Sequence, residues 1–203
     1  MVPSGQRMNL LNAIGRVSGL TEYRGLADDP LPSKGEAVAA VAVILRPNGA
    51  SVEVLLIERA HYESDPWAGH MAFPGGRRSS SDDTLLDTTV RETREETAVD
   101  LAADGRPLGR LDVVHPESVR LPAIHVLPLV FSVPFATTAL AASPEVSRTF
   151  WIPISHLRDP SSEIVHRLDI RGQLVSFPAL AFGDRVVWGI TRRIMRNLLD
   201  SPS

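Results

Sequence analysis

The chain has 203 residues, 43% of them apolar and 22% charged, with a formal net charge of −3 and no cysteine. That length fills one globular domain rather than two, and the negative balance leaves no basic field to hold a nucleic acid polymer. The missing thiols exclude disulfide staples, thiolate metal sites and cysteine nucleophiles, which suits a cytoplasmic protein.

Residues 1–20, MVPSGQRMNLLNAIGRVSGL, scatter basic residues among short apolar runs and lack the charged and apolar regions of a secretory signal. They are read as a short helix in an N-terminal extension, 1–35, ahead of a main domain at 36–200. AVAAVAVIL at 37–45 and SVEVLLIE at 51–58 predict a β-hairpin that turns at Asn48-Gly49. An irregular loop follows to His70, then a short strand into Phe73, a Pro-Gly-Gly turn and the polar run SSSDD. The Ser and Asp residues of that run place a helix start near Asp82 or Asp83. Further strands are expected at 108–114, 124–133, 148–154 and 185–189, and a closing helix at 191–199 with Ile194 and Leu198 turned inward.

Residues 121–144 contain no Asp, Glu, Lys or Arg and are long enough to raise a membrane span. Pro122, Pro128, Pro134 and Pro144 cut them into pieces of strand length, so buried strands and no membrane partner are expected.

RETREET, residues 91–97, concentrates charge on the central helix. Glu92 and Glu96 stand four apart with Glu95 between them in angle, so all three acids share one arc, while Leu86, Val90, Thr93 and Thr97 form a separate core-facing stripe. Arg91 lies four before Glu95 and attracts it. Glu92 and Glu96 repel by a few tenths of a kcal/mol unless a cation lies between them. A bare solvated helix face is the other reading of such a string. Hard divalent ions, Mg²⁺ above all, take clustered carboxylates together with water and phosphate oxygens. Gly75 and Gly76 can bring a main-chain carbonyl close to that cluster.

Taken as a unit, FPGG followed by RE..EE over residues 73–99 resembles the Nudix hydrolase signature. The resemblance implies an α/β/α sandwich around a mixed sheet and Mg²⁺-dependent hydrolysis of a nucleoside diphosphate linked to another moiety, with Mn²⁺ as a substitute ion. It makes Glu92 and Glu96 the principal metal ligands, Glu95 the third acid, and Arg91 the arginine that braces them. Gly75 adds a main-chain ligand. Two positions depart, Ala98 in the place of a glycine and Thr93 in the place of an apolar residue, and counting back from Arg91 puts Asp83 where the first glutamate belongs.

LLIER, WAGHMAFPGG and VWGIT look like the coenzyme A pyrophosphatase branch. Ser64, Asp65 and Trp67 replace that branch's leucine, arginine and histidine, and Asp65 in place of arginine would repel the 3′-phosphate of coenzyme A rather than clamp it. A small-molecule diphosphate is the implied partner, with a homodimer left open.

The attacking water needs a base, and either Glu95 on the helix or Glu145 on a loop can take its proton; an exposed loop acid is the bland reading of Glu145. Arg59, His70 and Arg77 are candidates to meet phosphate, each with a structural alternative, and Trp67 and Trp151 are either base-stacking or core residues. A Nudix-fold module that binds a nucleotide without cleaving it is the competing function. The intact acids of RE..EE weigh against it.

Overall fold

Ten strands and three helices order the residues that this computed structural model describes, 20–30, 37–49, 51–61, 69–116, 124–170 and 172–199. The expected hairpin forms from β1 (Ala37–Asn48) and β2 (Ser51–Arg59), with Asn48 opposite Ser51. β1 is apolar from Ala37 to Leu45 because both of its faces are covered there. Ala40, Ala42 and Ile44 join one apolar cluster, and Ala39, Val43 and Leu45 join the other. β2 also pairs with β3 (Met71–Ala72) and β7 (Val146–Pro153), and β1 with β4 (Gly75–Arg77), all antiparallel. The pairing of β1 with β6 (Ile124–Ser132) is parallel, and β5 (Arg106–Arg110) closes the far edge. The result is one mixed sheet of seven strands.

Helix α1 (Leu85–Thr97) covers one face, seating Leu85 among Leu55, Leu127 and Phe131. The other face carries α2 (Ile154–Arg158), α3 (Gly189–Leu199) and a small antiparallel sheet of β8 (Glu163–Ile170), β9 (Gln173–Phe182) and β10 (Arg185–Trp188). From α3, Ile194, Met195 and Leu198 are buried with Leu180 and Val187 of that sheet, each large side chain contributing about 1.5–3 kcal/mol. The expected α/β/α sandwich is therefore present, with a three-stranded sheet sharing its second outer layer.

Four expected strands correspond to β5, β6, β7 and β10 with shifted ends. Three others were not expected. β4 is the double glycine itself, drawn into the sheet by β1 rather than left as a turn. β8 and the first six residues of β9 bury little of either face, so no clean apolar alternation marks them. Charge-poor 121–144 supplies β6, and among the described residues no helix is long and apolar enough to cross a membrane. Residues 1–19 and 31–36, and Ser64, Asp65 and Trp67, lie outside the described residues. Within 20–30, Thr21 pairs with Arg110 at the end of β5 through bonds of 3.0 and 2.7 Å.

Candidate active site

Helix α1 starts later than the sequence suggests. Its N-cap is Thr84, whose hydroxyl accepts from the Asp87 N–H while the Asp87 carboxylate accepts from the Thr84 N–H, a reciprocal cap that satisfies two end groups. Asp82 is thereby released for another task. Its carboxylate takes both arms of Arg91, from Nε at 3.0 Å and Nη2 at 2.8 Å, together with the Ser79 N–H and the Thr88 hydroxyl. The Arg91 guanidinium, more than any other neighbour, holds this buried carboxyl well below the usual range. The position counted as the first glutamate's, Asp83, is exposed, and its main-chain carbonyl accepts from Arg78. The acid that meets Arg91 is thus Asp82, one residue before the position counted.

Arg91 braces the acids, though not chiefly through the pair that helical spacing suggests. Nη1 donates to Glu92 at 2.9 Å and to Glu95 at 3.3 Å. The Glu95 side chain is 57% exposed, so that second contact is weak. The two-armed bond to buried Asp82 is the anchor.

The three acids do not share one exposed arc. Glu96 is 5% exposed, and Glu92 is half-buried. The most deeply buried side of α1 runs through Leu85, Thr89, Thr93, Glu96 and Thr97, with Leu86 and Val90 half-buried against the same core, and it turns Glu96 beneath the glycine turn. There Glu96 Oε2 accepts the Gly75 N–H at 2.8 Å. The carboxylate of Glu92 lies against Gly76, where an added Cβ would come within 2.5 Å of it. Neighbouring ladder bonds, Ala42 N–H to Pro74 O and Arg78 N–H to Val38 O, mean that the N–H and C=O of Gly75 point away from β1. Gly75 at φ +147° would meet the Ala40 carbonyl oxygen with any side chain.

Burial pushes the Glu96 carboxyl up to about 8 against the pull of the Gly75 N–H, and burial also raises Glu92. A half-buried and a buried acid side by side, Arg91 bonded to Glu92 and the charge of Arg59 facing Glu96, form an oxygen-rich cradle, a donor set that fits a hard divalent cation. Among the described residues no three acidic or histidine side chains converge on one point, because Glu92 and Glu95 turn to Arg91.

Around the cradle, the structure sorts the remaining candidates. The charge of Arg59 faces Glu96, and its N–H donates to the His70 carbonyl at 3.0 Å. Glu145 is exposed, its charge acts on both Glu92 and Glu96, and its carbonyl accepts the Ala60 N–H at 2.7 Å. The loop before it docks on the end of α1, where Leu140 and Ala142 donate to the carbonyls of Thr97 and Glu96. His70 packs edge-on to Trp188, 4.8 Å away, which also touches His166 and Phe177. Its ring thus takes part in packing between the two sheets. Arg77 is exposed, and its carbonyl accepts a long bond from Arg91. Trp151 lies under Arg46 at 4.1 Å, packed against the α1-side core, so the core reading holds for it.

Two residues escaped the sequence reading. Asp82 was visible as a helix-start residue and misassigned for want of the loop's path. Asp29 gave no local signal: its carboxylate accepts the Leu85 N–H at 3.1 Å and the Tyr23 hydroxyl at 2.6 Å, and lies 3.7 Å from Arg78.

The NUDIX domain family model matches residues 35–168, a span holding the double glycine, α1 and Glu145. The chain belongs to the Nudix family, and by class it is a Nudix pyrophosphohydrolase, cleaving diphosphate bonds in nucleoside diphosphate derivatives. The uncharacterized Nudix hydrolase NudL of Yersinia pestis is 30% identical over 169 residues, covering 82% of this chain and 79% of NudL. An uncharacterized protein of Schizosaccharomyces pombe is 34% identical over 119 residues, and the match spans only 36% of that protein's length. A crystal structure of a MutT/nudix family protein from Enterococcus faecalis shares the fold, with a TM-score of 0.54 at 18% identity over 98% of this chain and 74% of that one.

Proposed function

We propose that the chain hydrolyses the diphosphate bridge of a nucleoside diphosphate derivative with Mg²⁺, or Mn²⁺ in its place, and that coenzyme A or an acyl-coenzyme A is the leading substrate. The observation that carries this reading is the pair Glu92 and Glu96, packed side by side beneath Gly75 and Gly76. Glu92, Glu96 and the Gly75 carbonyl would hold the ion, with Glu95 as the outer ligand. A divalent cation there supplies charge neutralisation at the diphosphate and acidification of water.

The residues do the rest. Arg91, fixed by Asp82, keeps Glu92 in place. Arg59 and Arg77 bring positive charge to the phosphates, and His70 backs Arg59 through its main chain. Glu145, whose carboxylate accepts no hydrogen bond among the described residues, takes the proton from the attacking water. Glu95 already accepts from Arg91, which makes it the poorer base.

A panel of coenzyme A, acyl-coenzyme A, ADP-ribose, dinucleoside polyphosphates and nucleotide sugars, assayed with and without Mg²⁺, tests the reading. Glu92→Gln and Glu96→Gln should each lose orders of magnitude in turnover while circular dichroism stays that of the wild type. Near-normal rates in both variants would remove the metal assignment. If Asp65 faces the ligand, coenzyme A should be cleaved no faster than its 3′-dephospho form, and a strong preference for coenzyme A would refute that role.

A further inference from the structure

Among the described residues, the small second sheet ends in an open edge. Its order is β10-β9-β8, so β8 pairs there on one side only. Ile170 stands opposite Gln173 across a two-residue loop containing Gly172 at φ +79°, and the pair closing such a loop exchanges its hydrogen bonds across the hairpin. Alternation then sends the N–H and C=O groups of Glu163, Val165, Arg167 and Asp169 outward. Proteins blunt such edges with proline, lysine or a bulge. β8 carries no proline or lysine, and its register with β9 is unbroken.

Side chains along this edge are unusually open. Val165 is 60% exposed and Leu174 on β9 is 67% exposed. Arg167 makes no ion pair among the described residues, and Asp169 accepts only the Gly172 N–H. Glu163 at the strand's start is already engaged by Arg192 and Arg196 of α3, at 3.1 and 3.0 Å. The free charges therefore lie toward the hairpin tip.

We propose that β8 pairs antiparallel with β8 of a second copy across a two-fold axis at Leu168, joining the two small sheets into one. Outward-facing groups pair only with outward-facing groups, so few registers are open. One sets Arg167 against Arg167, and another sets Glu163 against Asp169; both repel. A register setting Glu163 against Arg167 would draw Glu163 away from its two arginines. The axis at Leu168 sets Arg167 across from Asp169 twice over and Leu168 against its own copy. The half-buried face of Ile164, Leu168, Ile170, Val175 and Phe177 then continues across the junction, an isologous contact that closes at two subunits.

Sedimentation equilibrium of the full chain, over roughly 1–100 µM, should show a dimer. Arg167→Asp and Asp169→Arg should each raise the dissociation constant by about tenfold or more, since each places like charges at both pairings. An equimolar mixture of the two variants should dimerise, because both of its pairings become Asp with Arg. Far-UV circular dichroism checks that each variant folds. A wild type monomeric across the range, a dimer indifferent to both substitutions, a mixture that stays monomeric, or a mass that keeps growing with concentration would each overturn the proposal.

Discussion

Ala98 terminates α1 at φ +59°, donating its N–H to the Arg94 carbonyl. An L-residue in this left-handed conformation is strained by about 1–2 kcal/mol, and glycine is not. Ala98→Gly should therefore stabilise the protein by about 1 kcal/mol, read from the denaturation midpoint, because the added unfolded-state freedom of glycine offsets part of the relief. Turnover should not change, since Ala98 touches neither acid of the cradle.

Asp82 makes an opposite prediction. Its folded pKa is depressed by Arg91, so its contribution is fully present above the unfolded value of about 3.9 and is lost as pH falls toward the folded one. Asp82→Asn should cost about 2–3 kcal/mol at neutral pH. The gap between variant and wild type should narrow in denaturation curves taken progressively below about pH 4.

At the scale of elements, helix α1 depends on a segment from outside the matched family domain. Asp29 receives the first N–H of α1 and lies beside Arg78, whose Nε donates to the Asp82 carbonyl. Tyr23 closes the far side of Asp29; burial first, and then that carboxylate, push its hydroxyl well above the usual tyrosine value. The segment thus holds both ends of the loop from which Asp82 reaches Arg91. Asp29→Ala should destabilise the protein by about 1–2 kcal/mol. It should also lower turnover several-fold at saturating metal, with thermal denaturation and initial rates measured on the same samples. Unchanged rates in a destabilised variant would confine Asp29 to a capping role.

Across the whole molecule, legibility followed the range of the interactions. The β1–β2 hairpin could be read because Asn48-Gly49 and two apolar runs carry their signals within twenty-odd residues of chain. RE..EE marked a helix with clustered acids for the same reason. Which of them would be buried was not readable, because Glu96 is turned inward by Gly75, a contact between β4 and α1 that helical spacing does not contain. Asp29 lies further from legibility still, since its partner Leu85 is brought to it only by the fold. The face of the sheet under α3 was half visible in Ile194 and Leu198, while β8 and β9 were hidden by their exposure.

The parallel seam between β1 and β6 has a consequence during synthesis. Every residue of α1, and the glycine turn with it, lies in the connection between those two strands. Closing so long a connection carries an entropic cost before any of its non-local contacts form. On the ribosome, β1 and β2 can zip together as soon as they emerge, but one edge of β1 stays open until residues 124–132 have left the exit tunnel. Through that interval a strand apolar from Ala37 to Leu45 is exposed in a chain that already carries all three helix acids, and this is when the nascent protein most needs a chaperone.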